Sequence, residues 1–170
     1  MRLPGRPTGP RPPRSRHREL RRYRADLLRL TAPIDRAVAA GAATVEALRI
    51  RTIEPDAGYQ RLAASGADLE AAAAAMHAMR APEELHVLHH EYGANLDRAR
   101  RGLLLAARAC RMTDEPYRPP VDEEVQSVWR RAGANLRHAR LRMGEVVQAA
   151  LHWEPGQPAE VSVATRLERI

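Results

Sequence analysis

The residues best suited to chemistry in this chain are three histidines, His86, His89 and His90, with Glu83 one turn before the first. Glu83-x-x-His86 has the spacing used by di-iron helical bundles, because residues three apart share a helix face. Such a centre needs the motif twice, plus glutamates from two further helices, all turned inward. Forty residues on, a second segment repeats the first. Glu123-Glu124 matches Glu83-Glu84, and Gly133-Ala134-Asn135-Leu136 matches Gly93-Ala94-Asn95-Leu96. Nine of twenty-eight positions are identical between 83–110 and 123–150. Gln126 stands where His86 should recur, so the second motif is missing. On the heptad frame Glu83 and His90 lie opposite the apolar seam, His86 lies off it, and the seams supply no carboxylate. No metal ligand and no cofactor are assigned. His86 and His90, at i and i+4, would make at most an adventitious surface site. His89, beside the seam, reads as a boundary imidazole bonded to a neighbour rather than a catalytic base.

Nothing else in the chain assembles a catalytic group. There is no glycine-rich phosphate loop, G-x-S-x-G or H-E-x-x-H motif. The serines are only Ser15, Ser65, Ser127 and Ser162, and Cys110 is the single cysteine. Cys110 reads as a small core residue, and no internal disulfide is possible. The chain is expected not to be an enzyme.

Charge offers a different lead. The formal net charge is +7, with 28 basic and 21 acidic residues. Arg2, Arg6, Arg11, Arg14, Arg16 and Arg18 fall within residues 1–18, where there is no acid, so the remainder is almost neutral. Residues 1–17 also hold Pro4, Pro7, Pro10, Pro12 and Pro13. Proline removes backbone donors and like charges repel, so this segment is expected to be a disordered or polyproline-like arm. Three readings of it stand side by side: a solvated tail without a role, an electrostatic arm for nucleic acid or an acidic surface, or a start codon further in. As an arm it would meet phosphates through Arg11, Arg14, Arg16, Arg18, Arg21 and Arg22. No aromatic residue interleaves them, so base stacking is not indicated. Every basic residue is arginine and none is lysine. With so much alanine and proline, this looks like GC-rich coding bias, and arginine then weighs less as a phosphate signal.

The elements that would position these residues are helices. There is no Phe, with only two Trp and four Tyr, and alanine and leucine carry the apolar content. That composition suits close-packed helices and suits sheets poorly. Leu20, Leu27, Ile34, Gly41 and Leu48 recur seven apart from Arg18 to Arg51, interleaved with Tyr23, Leu30, Ala37 and Thr44, a bundle or coiled-coil seam. Pro33 interrupts it, either as a kink, which the unbroken phase favours, or with Thr31 capping a new helix. A second helix is expected over 55–80, a third over 82–112 and a fourth from 121 or 122 to about 153. Asn95 and Asn135 sit at seam edges, where asparagine sets register or pairs across helices. Gly93 and Gly133 would allow close helix approach. The expected fold is all-α: an antiparallel up-down four-helix bundle over 18–154, with the arm at 1–17 and a tail at 155–170. No stretch approaches the roughly 20 apolar residues of a membrane span. The N-terminus lacks the apolar core of a secretory signal, so a cytoplasmic protein is expected.

The run Ala81-Pro82-Glu83-Glu84-Leu85-x-x-Leu88-His89-x-x-Tyr92 follows an alanine- and leucine-rich helix. It resembles a pattern in uncharacterised bacterial helical-bundle proteins, where a P-x-E-L-x-x-x-H step joins two long antiparallel helices. The resemblance covers residues 20–112 and implies the helical fold; that family has no established activity to transfer. The expected function is a non-enzymatic interaction or scaffold module that binds a protein partner or itself. The alternative is a nucleic-acid-associated protein working through the arm, and the third is a metal-binding bundle.

Overall fold

The computed structural model describes residues 13–112 and 122–155. Its helices are α1 (Pro13–Arg49), α2 (Pro55–Ala78), α3 (His86–Met112), preceded by a single 3-10 turn at Glu83–Leu85, and α4 (Asp122–His152). Four cross-helix contacts set the topology. Arg24 of α1 meets Ala150 of α4, whereas Arg49 at the other end of α1 meets Gln126. Arg111 of α3 lies over the ring of Tyr59 on α2, and Arg100 reaches Glu70. Neighbours are therefore antiparallel, and the helices pack in the ring order α1, α2, α3, α4. This is an all-α four-helix bundle, as the periodicity predicts.

Helix starts and stops follow local chemistry. Pro13 and Pro55 each occupy a first helical position, where a missing N–H costs nothing. α1 ends in a left-handed residue, Arg51 at φ 58°, with Thr52 N–H bonded to Ala47 O at 2.9 Å and Arg51 N–H to Leu48 O at 3.1 Å. That pairing is a Schellman cap, made without glycine. Met79 is extended, and the short step to Pro82 keeps the chain out of the helical region.

The structure corrects several expectations. α1 starts at Pro13, not Arg18, so residues 13–17, expected in the arm, are helical; proline's fixed φ suits a helix start, and the basic residues behind it are good helix formers. α1 runs through Pro33 as one helix, and the Thr31 hydroxyl donates to Leu27 O at 2.8 Å, back along that helix. Thr31 therefore caps no second helix. Pro82 precedes a 3-10 turn rather than opening α3 directly. The remainder of the arm, the 113–121 connection and the tail from 156 lie outside the described residues.

The core is continuous along the bundle. Leu27, Ile34 and Leu48 of α1, Leu62, Leu69 and Met76 of α2, Leu88, Leu96 and Leu103 of α3, and Leu136, Met143 and Val146 of α4 are all buried. Two glycines let it close. A β-carbon at Gly41 would overlap Leu103 Cδ2, and one at Gly58 would come within 2.5 Å of Leu48 Cδ2. Both leucines are core residues, so side chains there would displace packed atoms.

Candidate functional site

Near one end of the bundle a tyrosine and a histidine meet between helices. Tyr23 on α1 is 2% exposed and His89 on α3 is half-buried; Tyr23 Oη lies 3.3 Å from His89 Nδ1, with ring centroids 5.9 Å apart. Burial, and to a lesser degree Tyr92, push the Tyr23 phenol up to about 12, so it keeps its proton and shares a hydrogen bond with His89 Nδ1. Burial also pulls His89 below its ordinary value, with smaller contributions from His86, His77 and His90. His89 is thus a boundary imidazole bonded to a neighbour, held neutral between helices. Tyr92, on the next turn, is 1% exposed, and burial raises its phenol to about 12. The Thr31 hydroxyl nearby gives its proton to Leu27 O, and Tyr92 Oη completes no hydrogen bond among the described residues.

Two tyrosines and an imidazole make a poor catalytic set. Burial keeps both phenols protonated near neutrality, and among the described residues the buried polar side chains are Thr44, Ser65 and Asn95, with no carboxylate behind His89. Glu83, His86 and His90 are exposed on the outer face. No group of three or more His, Cys, Asp or Glu side chains among the described residues could hold a metal ion. Gln126, the counterpart of His86, donates instead to Arg49 O at 3.3 Å and caps α1. A cavity of about 190 Å³, lined by Arg16, Leu20, Pro82, Glu84 and Trp153, sits at the end of the bundle. It is smaller than the roughly 300–1,000 Å³ of small-molecule sites.

Asn95 and Gly93 of the repeat also depart from expectation. Asn95 Nδ2 donates to Glu91 O at 2.9 Å, a bond within its own helix, and among the described residues it has no partner on another helix. Gly93 has open space where a side chain would stand. The close approaches fall at Gly41 and Gly58, because helix crossing points follow ring geometry and not the repeat.

Three groups of basic residues stand out. Of the expected phosphate-binding set, Arg11 lies outside the described residues and Arg14 falls in the first turn of α1. Arg16, Arg18, Arg21 and Arg22 are exposed; Arg16 lies 3.9 Å from Glu84 and Arg22 3.9 Å from Asp26. A second group is structural. Arg24 donates to Ala150 O at 3.0 Å and to Trp153 O, closing the C-terminal end of α4. Arg140 grips Asp35 through two bonds of 2.6 and 2.9 Å, and these hold the Asp35 carboxyl below its ordinary range. Arg142 joins Glu91 and Glu145 across α3 and α4.

The third group was not assigned from the sequence. Arg98, Arg101 and Arg108 on α3 and Arg130 and Arg131 on α4 are all exposed, and none has an acidic partner among the described residues. The signal was present as an absence: no Asp or Glu occurs from Arg98 to Met112, or from Val125 to Gly144. Averaging the charge of the body hid it, because the acids are concentrated elsewhere. Among the described residues no helix is long and apolar enough to cross a membrane. No family model, curated protein or solved structure matches the chain.

Proposed function

We propose that the chain is a non-enzymatic interaction module: a helical bundle that presents its outer faces to a partner protein or to a second copy of itself. One observation carries this reading. The interior is filled by aliphatic side chains, and its few polar groups are bonded back to their own helices or held at high pKa by burial. Recognition is then left to the surface, where Val87, Leu104 and Leu141 stand 62%, 71% and 52% exposed. A cytoplasmic setting belongs to the same reading. The test is affinity capture from the native host, with the full chain as bait and sedimentation of the purified protein alongside. A stoichiometric protein partner, or a concentration-dependent dimer, is expected. A strict monomer with no partner retained would sink the proposal.

A second reading has its own observation. Arg18, Arg21 and Arg22 are exposed on the first turns of α1, which supports phosphate-backbone binding by a nucleic-acid-associated protein. Binding should be independent of base sequence and weaken steeply with salt.

A further inference from the structure

We infer that the outer face of the α3–α4 pair binds the phosphate backbone of duplex nucleic acid. The inference deepens the second reading above and moves its centre from the N-terminal segment to the body of the bundle. Trp129 Nε1 donates to Ala106 O at 3.3 Å, which fixes the register of the two helices. Arg130 and Arg131 then lie across from the turn of α3 that holds Leu105 and Arg108. Arg98, Arg101 and Arg108 recur at three and seven residues, so they line one side of α3. From Arg98 to Arg108 the helix rises about 15 Å, a length over which a duplex carries about nine phosphate charges. Packed helix axes are about 8–10 Å apart, so the α3 row can follow one backbone strand while Arg130 and Arg131 meet the duplex beside one end of that row.

Charge separates these residues from the arginines already engaged by carboxylates within the bundle. Arg100, Arg140 and Arg142 are each held by carboxylates, so their charge is already neutralised locally. The five of the face meet no carboxylate among the described residues, and His138 adds a further polar group on the same side of α4. Their charge is therefore uncompensated, and a polyanion is the complementary surface. Guanidinium groups suit phosphate oxygens, which they meet in pairs of parallel hydrogen bonds. A membrane surface fits less well. The apolar stripes of α3 and α4 are spent in the core, and the exposed Leu104 and Leu105 are flanked by Arg101 and Arg108.

The experiment uses the full chain and a fluorescently labelled duplex of mixed sequence, with anisotropy read across a salt series. The variant Arg98→Gln/Arg101→Gln/Arg108→Gln/Arg130→Gln/Arg131→Gln is compared with a chain lacking residues 1–12, each checked for helix content and melting midpoint. The native chain should bind at low salt, and the five-site variant should bind at least about 100-fold more weakly. The slope of log affinity against log salt should fall by about 4–5. If the five-site variant does not fold, Arg98→Gln/Arg101→Gln and Arg130→Gln/Arg131→Gln are measured separately, each expected to lower the slope by about 2. A folded variant that keeps the native affinity and slope overturns the inference; if removing residues 1–12 then abolishes binding, the phosphate reading stands without it. No duplex binding by the native chain at low salt, including the case where it binds only phosphatidylserine vesicles, overturns both.

Discussion

α3 and α4 carry the same tetrapeptide, yet the bundle uses it differently in each. Leu96 and Leu136 are both buried in the core. Asn95 is 7% exposed and tied to Glu91 O, while Asn135 is half-buried. A β-carbon at Gly93 would meet nothing, whereas one at Gly133 would stand 3.4 Å from Val45 Cγ1. One turn earlier, His89 on α3 faces Tyr23, and its counterpart Trp129 on α4 bonds to Ala106 O. The difference arises because the helices run in opposite directions. The same residue, at the same heptad position, meets different neighbours at a different level of the bundle. A repeat in sequence is therefore one packing solution at its leucine and two solutions elsewhere.

Four measurements would break or sharpen that contrast. The largest effect is expected at the turn before the tetrapeptide. Trp129→Ala should cost about 3–5 kcal/mol in chemical denaturation, since it removes a buried ring and its bond to Ala106 O. Equal costs for Trp129→Ala and His89→Ala would mean that the two positions are equivalent after all. Next, Asn95→Ala should cost about 1 kcal/mol, and Asn135→Ala within about 0.5 kcal/mol of nothing. A reversed order would show that Asn135 carries the polar contact. Third, Gly93→Ala should stabilise by about 0.5–1 kcal/mol, because a helix gains rigidity and the side chain enters open space. Gly133→Ala should gain less, as Val45 must give way; a gain at Gly133 matching that at Gly93 would remove the contrast.

The smallest effect is a pH slope. Burial lowers the folded-state pKa of His89, so between that value and its ordinary 6.5 the unfolded chain binds more protons. The stability that neutral His89 contributes is fully present above 6.5 and is lost as pH falls below it. Tyr23 faces this imidazole, and His86, His77 and His90 add repulsion to its protonated form. Native protein should lose stability between about pH 7 and about pH 5 more steeply than His89→Asn. Parallel curves would place His89 in an environment no different from water.

Much of the fold was legible because helical periodicity is a local property. The seam of α1 could be read position by position, and Tyr23, Leu27, Ile34, Ala37, Thr44 and Leu48 are all buried. The outward placement of Glu83, His86 and His90 followed from the same frame. Pro33 was harder, since a proline removes one bond while the surrounding packing keeps the helix continuous. The basic face was hardest. Sequence shows which arginines exist, but their neutralisation depends on carboxylates from other helices, such as Asp35 for Arg140 and Glu91 for Arg142.

By itself the sequence determined that this chain is helical, which stripe of each helix turns inward, and that Gln126 stands where the Glu83-x-x-His86 pair would need its second histidine. Those properties depend on residue type and on spacing along one helix. Only the tertiary structure decided that Tyr23 meets His89, that Gly41 and Gly58 rather than Gly93 mark the close approaches, and which arginines remain uncompensated. Each of these is a relation between helices, set by ring order and antiparallel register, and no pattern within a single helix encodes it.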